Sequence, residues 1–222
     1  MKLSHIHVQR LDDDACPGRF KRLAHLQRIK RVYWTGSVAV LDLPCIAVFA
    51  PRSISSACLL KAYGMLDAMA EAPVTFAGGW HSATERDILE RLLGKGARVI
   101  FAAARGIEHC NPPRDLGEHV SGERVLIFSR WGPRVSRPIR ENALKRNAAV
   151  VALSDAVFVP HAVPGTQTFK TACTAVRGGK PVATVADAAN EALVAAGTAA
   201  RDSGSIGAWL ATVTSKGDSA DG

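Results

Sequence analysis

CIAVFAPRSISSACLLKAYGMLDAMAEAPVTFAGG, residues 45–79, reads as a strand, a helix and a second strand. CIAVF (45–49) and VTFA (74–77) are short apolar runs without strict alternation, as expected of strands covered on both faces. Between them, residues 55–71 repeat apolar side chains at three- and four-residue spacing, and Ser55 stands where a helix N-cap belongs. Two apolar strands joined by an amphipathic helix are the building unit of a parallel sheet.

The same alternation continues down the chain. ARVIFAA (97–103), RVLIF (124–128), AVFVP (156–160) and PVATV (181–185) read as further strands, with helices expected over 82–93, 138–153 and 166–177. Gly94 and Gly96, and later Gly178 and Gly179, lie between a helix and the next strand, where left-handed C-caps belong. The expected fold is α/β, a doubly wound, mostly parallel Rossmann-like sheet in three α/β/α layers. This core should span 45–200. Ahead of it, residues 1–44 form a basic lead-in with one helix at 17–31, one or two short strand-like runs and a turn at Gly36. ADAANEALVAAGTAA reads as a further helix, and 201–222 as a C-terminal tail whose last eight or so residues are expected to be disordered.

The 222 residues are 47% hydrophobic and 22% charged, an ordinary globular composition within the size of one domain. The longest apolar stretch, 38–50, is interrupted by Asp42 and Pro44, so no transmembrane segment is expected, and the N-terminus lacks the apolar run of a signal peptide. The expected location is cytoplasmic. Five cysteines, an odd number, widely spaced and without a CxxC pair, disfavour both a disulfide framework and a zinc knuckle and fit reduced, mostly buried thiols. The net charge of +8 is local: residues 1–31 carry eight Lys/Arg against three Asp, and 121–146 carry seven against two Glu. Arginines outnumber lysines nineteen to nine, a bias that suits bidentate phosphate contacts and equally follows from genomic base composition.

An open doubly wound sheet binds ligands beyond the carboxyl ends of its strands, which directs attention to the loops after the first, second, fourth and fifth of these runs. The first, Ala50-Pro51-Arg52-Ser53-Ile54-Ser55, sets an arginine and two hydroxyls at a helix N-terminus, where an anion is favoured, although Ser55 also serves as a plain N-cap. The second holds Gly78-Gly79-Trp80-His81-Ser82, whose glycines allow a backbone to approach a ligand closely; His81 reads most simply as a polar loop residue. The fourth, SRWGPRVSRPIRENALKRN, interleaves Arg130, Arg134, Arg137, Arg140, Lys145 and Arg146 with Trp131, the combination a groove for a single strand needs, or else a solvated basic face. The fifth, from His161 through Gly165, Thr166, Lys170 and Thr171, is a further anion nest and not a Walker loop. No GxGxxG, GxSxG or HExxH motif and no pair of carboxylates at this edge supports acid–base catalysis, so no catalytic residue, metal or cofactor is expected.

In their order, these motifs resemble the DprA/Smf family of DNA-processing proteins over about three quarters of the chain. VYWTGSVAVLDLPCIAVFAPRSIS is similar to the family's lead-in and its GSRxxS motif, and FAGGWHSATE stands where the family has SGxAxGID. KRNAAVVALSDAVFV is similar to RNRIIAGLSDxxxV, PGTQTFKTACTAVRGGKPVATV to SGSLxTAxxAxxxGRPVxxV, and NEALVAAGTAA to NxLIxxGA. Ala50-Pro51 replaces the Gly-Ser before Arg52, and Ala148 stands where a second arginine is usual.

The resemblance implies binding of single-stranded DNA, a homodimer and a recombinase partner. Carried over by position, Arg52, Ser53, Ser55, Gly78 and Gly79 would line a phosphate pocket, with Arg146 and Asn147 as the family's Arg-Asn pair. Gly165, Thr166, Thr171 and Ala172 would form the opposing loop. On the electrostatic reading, Arg137, Lys145 and Lys170 would neutralise further phosphates, and Trp131 or Trp80 would stack a base. A weaker resemblance to the LOG, or lysine-decarboxylase-like, phosphoribohydrolases leaves two alternatives open, a binder or sensor of a nucleotide-like ligand and a nucleoside monophosphate hydrolase. Lys170 stands near where the catalytic glutamate of that family would be expected.

Overall fold

The computed structural model describes residues 6–24, 26, 29–110, 116 and 123–215. The first unit forms as the sequence dictates. Strand β3 (Cys45–Val48) leads into α2 (Ser56–Ala70), capped by the Ser55 hydroxyl, which accepts from the Cys58 N–H at 3.2 Å, and α2 leads into β4 (Thr75–Gly78). The chain continues through α3 (Ala83–Gly94), β5 (Arg98–Ala102), β6 (Val125–Ser129), α4 (Arg140–Leu153), β7 (Ala156–Phe158), α5 (Gln167–Arg177) and β8 (Val182–Val185). Every strand and helix read between 45 and 185 is present to within two residues at its ends.

With β1 (His7–Arg10), β2 (Arg31–Gly36) and β9 (Ala199–Arg201), the strands of the described residues form one nine-stranded sheet in the order β1-β2-β6-β5-β4-β3-β7-β8-β9. Pairs from β6 through β9 are parallel, whereas β1 and β2 add antiparallel strands at one edge. Winding runs outward from β3 to β6 and then restarts at β7 on the other side of β3, so the switch point lies between β3 and β7. Successive residues of a strand alternate between two cores. Ile46 and Val48 face the layer of α2, α3 and the last helix, and Cys45 and Ala47 face the layer of α1 (Gly18–Lys21), α4 and α5. The three-layer expectation is thereby met.

Outside 45–185 the reading needs correction. Among the described residues, the helix expected over 17–31 is the four residues of α1, followed by i→i−3 turns at Leu23 and Ala24, and residues 25, 27 and 28 of that stretch lie outside the described residues. The reason is tertiary: Phe20 and Leu23 are fully buried, and the chain must return at once to pair Lys30 with Leu11. The lead-in is part of the same sheet, since β1 and β2 extend it. The Ala-rich stretch is divided into a 3-10 turn (Ala188–Asn190), the short α6 (Glu191–Ala195) and the ninth strand β9 (Ala199–Arg201), with Gly197 at φ 96° between them. Of the expected C-cap glycines, Gly96 and Gly179 adopt the left-handed conformation. The stretch read as a tail contains α7 (Ile206–Thr214), which buries Ile206, Trp209, Leu210 and Val213 in the core shared with α2. Those four residues follow helical spacing. The final seven residues, 216–222, lie outside the described residues, as does part of the lead-in.

Charge in the lead-in serves the fold at the amino ends of the strands. Asp155 accepts from the Arg19 guanidinium at 2.6 Å, from Arg22 at 2.7 Å and from the Cys45 N–H at 2.8 Å, while Arg19 also donates to the carbonyls of Leu41, Leu43 and Leu153. Lys180 donates to the Ser154 carbonyl beside them. Arg19 and Arg22 are therefore engaged at the edge opposite the one where a doubly wound sheet binds its ligands.

Candidate nucleic-acid interface

At the carboxyl ends of β4 and β5 the structure opens a cavity of about 920 Å³, bounded by α3 on one side and the start of α4 on the other. Its size is at the upper end of the range for small-molecule sites. Among the residues named from the sequence, Arg52, Gly79, Trp80, His81, Arg140, Arg146 and Asn147 line it. At its floor stands Arg146, 8% exposed. Its Nε donates to Asn147 Oδ1 at 2.8 Å and its Nη1 to the Ala102 carbonyl at 3.2 Å, so a cation is held among neutral acceptors. Burial pulls the guanidinium's pKa below its ordinary value, and the Glu85 carboxylate acts in the opposite direction.

The two glycines after β4 have uses that the sequence reading did not foresee. A Cβ at Gly79 would lie 1.8 Å from Arg146 Nη1 and 2.0 Å from its Cζ, so the missing side chain is the space the guanidinium occupies. A Cβ at Gly78 would lie 2.8 Å from the Trp80 ring. The glycines thus admit the protein's own side chains as well as opening the cavity. Trp80 itself is not a stacking platform. It is 2% exposed, its indole N–H donates to the Ile100 carbonyl at 3.0 Å, and its left-handed backbone (φ 49°) folds the ring back under the strand. The following turn is locked by a capping box, in which Ser82 Oγ accepts from the Glu85 N–H while Glu85 accepts from the backbone N–H groups of His81 and Ser82.

The other residues named from the sequence stand apart from the cavity lining. Ser53 is exposed, Ser55 serves as the cap of α2, and Arg137 is exposed. Lys145 is paired with Glu141 one turn earlier on α4. Gly165 takes φ 85° ahead of Thr166, whose hydroxyl accepts from the Phe169 N–H at 3.3 Å as the cap of α5, and Lys170 is exposed on that helix. Thr171 is buried and donates to the Gln167 carbonyl of its own helix, so its hydroxyl is engaged within that helix. Trp131 is half-buried with the Arg130 guanidinium 5.4 Å from its ring centre.

Sequence reasoning missed Arg86 and Glu90 on α3, Arg105 after β5, and Gln167, all of which line the cavity. Arg86 lies on the helix expected over 82–93, beyond the loops of the carboxyl edge that the sequence reading singled out. Arg105 could have been found, because it closely follows a strand at the carboxyl edge, in a loop of that edge left unread. That loop is held firmly: Ser129 Oγ donates to the Arg105 carbonyl at 2.7 Å, and the Gly106 N–H donates to the Val135 carbonyl at 2.8 Å. Cys110 closes the cavity beside it, and burial pushes its thiol pKa up, against Arg105 and Arg146. Among the described residues no group of His, Cys, Asp and Glu is placed to hold a metal, and no helix is long and apolar enough to cross a membrane.

The family model described as DNA recombination-mediator protein A matches residues 7–208. No curated protein sequence matches the chain. Among solved structures the chain is similar to DNA processing protein A (DprA) of Streptococcus pneumoniae, with a TM-score of 0.77 and 16% identity over 92% of this chain and 74% of that one. It is also similar to DNA processing protein A of Helicobacter pylori, in a structure concerned with the single-stranded DNA binding mode of that protein, with a TM-score of 0.76 and 22% identity over 97% and 99% of the two chains. A molybdenum cofactor binding protein of the phototrophic bacterium Rippkaea orientalis matches at a TM-score of 0.56 and 16% identity over 77% of this chain and 97% of that one. At these identities the likeness to solved structures is one of fold.

Proposed function

Because the chain belongs to the DNA recombination-mediator protein A family, whose members process DNA, we propose that it binds single-stranded DNA through the arginine-lined cavity at the carboxyl edge of its sheet. The observation that carries this reading is Arg146, a buried cation held by neutral acceptors at the floor of an open cavity, with Arg52 exposed at its rim. A phosphodiester entering there meets charge already fixed in place, so little side-chain entropy is lost on binding. The contacts are to phosphate, so binding is blind to base sequence and falls with salt, the slope of log K against log salt being about −0.7 for each phosphate engaged. Arg137, Lys145 and Lys170 then serve as an outer basic rim, and Ser53, Gly165 and Thr166 as loop elements flanking the strand's path. The reading extends to a cytoplasmic homodimer that passes single strands to a recombinase, supported by family membership alone.

Fluorescence anisotropy of a labelled oligo-dT across a salt series tests the proposal. The expected result is salt-sensitive binding that weakens about tenfold in Arg52→Ala, an exposed position whose loss leaves the fold intact. Absence of binding at low salt overturns it, and stoichiometric displacement by a mononucleotide would favour a small nucleotide ligand in the same cavity.

A further inference from the structure

Single-strand binding at Arg146 accounts for only part of the charge around the cavity. Arg52, Arg86, Arg105, Arg140 and Arg146 line it, against one carboxylate among the described lining residues, that of Glu90. One phosphodiester carries a single negative charge, and closing it among five guanidinia would leave most of their mutual repulsion unrelieved. The cavity's charge therefore calls for more than one phosphate.

The arginines also fall into two places. Arg146 is fixed above Gly79 at the end of β4, with its Nη1 on the Ala102 carbonyl. The backbone of Arg105 is fixed on the far side of β5, where its carbonyl accepts from Ser129 at the end of β6 and the next N–H reaches the Val135 carbonyl, and its side chain lines the cavity from there. Neighbouring strands lie about 4.8 Å apart, so these anchor points are roughly one to two strand spacings apart, comparable with the step between adjacent phosphates of an extended single strand. Between them the lining is apolar, with Phe101, Ala103 and Ala104 opposite Pro138 and Ile139. Ile139 is 55% exposed, an unusually open position for so large an apolar side chain.

We infer that Arg105, with Arg86 facing it from α3, forms a second phosphate subsite beside the one at Arg146, so that the smallest full-affinity ligand is a unit of two linked phosphates. The inference rests on the single-strand reading and gives that strand a path across the sheet, from the Gly165–Lys170 loop beside β3 towards β5 and β6. A base between the two phosphates lies against Pro138 and Ile139.

The test uses the full chain and competition against labelled oligo-dT by thymidine 5′-monophosphate and by the dinucleotide pTpT. Wild type should bind pTpT about tenfold or more tightly than the mononucleotide. Arg105→Ala should remove that advantage, leave the mononucleotide affinity within about twofold, and lower the salt slope for oligo-dT by about 0.7. Arg105→Lys, which keeps the charge, should restore part of it, and Arg86→Ala, on an exposed helix face, should reproduce the loss in the same direction. If oligo-dT binds but pTpT loses nothing in either variant, or loses no more than the mononucleotide does, the second subsite is refuted while the single-strand reading stands. If wild type binds no oligo-dT at all, that reading fails and the subsite falls with it.

Discussion

Gly79→Ala is the sharpest perturbation the structure offers. The new Cβ would lie 1.8 Å from Arg146 Nη1 and 2.0 Å from Cζ, distances at which the guanidinium has to leave its seat. Gly79 has no positive φ, so the substitution carries no backbone strain of its own, and the effect is the eviction alone. Eviction breaks the bonds to Asn147 Oδ1 and the Ala102 carbonyl, each from a charged donor and each contributing about 1.5–3 kcal/mol. The evicted group regains water in the open cavity, so the net loss should be about 2–4 kcal/mol. Arg146→Ala removes the same two bonds and should cost a similar amount. The double variant loses them only once, and its added Cβ occupies space the guanidinium has vacated. Its destabilisation should match either single variant, giving a coupling energy of roughly −2 to −4 kcal/mol where independent sites add to within about 0.5 kcal/mol. Urea unfolding followed by far-UV circular dichroism measures the cycle, with an unchanged m value as the control. Additive losses would refute the assignment of Gly79 as the seat of Arg146. So would a Gly79→Ala variant as stable as wild type.

Three further outcomes follow from the same geometry. Asp155→Asn should cost about 3 kcal/mol, since it leaves Arg19 without its carboxylate. Burial pushes the Asp155 carboxyl up, but Arg22, the Cys45 N–H and Arg19 together hold it below its ordinary value. Its contribution to stability is therefore present above the unfolded-chain value of about 4 and is lost as the pH falls through the folded value, so the variant's acid-unfolding limb should be flatter than wild type's over that range. Trp80→Phe should lose about 1 kcal/mol in urea unfolding, because the Ile100 carbonyl loses its indole donor while most of the ring's packing is kept. Iodoacetamide at pH 8 should label Cys173 alone in the native protein and all five cysteines in urea, as mass spectrometry would read. The other four are buried, and burial pushes the Cys45 thiol up to about 12.

The core of the fold was legible because its signals are local. Strands with both faces covered are made of uninterrupted apolar runs, and the helices between them repeat at their own period, so β3 to β8 and α2 to α5 could be read from residue order alone. Elements that depend on partners distant in sequence were not legible in this way. The 17–31 segment has helix-forming composition, yet its length is limited by burial of Phe20 and Leu23 and by the return to β2. α7 carries helical spacing, but its apolar face has meaning only against α2. The Ala-rich stretch from 186 is broken because Gly197 takes a left-handed turn beneath Val176 and β8 offers a free edge to β9.

The site divides along the same line. Sequence by itself determined the sheet, its two-sided burial, and the rule that a ligand meets the carboxyl edge; it brought Arg52, Gly79, Arg146 and Asn147 to notice, and all four line the cavity. Only the tertiary structure decided that Gly79 holds a guanidinium, that Trp80 belongs to the core, that Arg19 and Arg22 are engaged at the opposite edge, and that Arg86 and Arg105 converge on the same space. The physical reason is that strand and helix periodicity is written in neighbouring residues, whereas the direction of a side chain at a strand end depends on which strands lie beside it, and that order is set by the winding of the whole sheet.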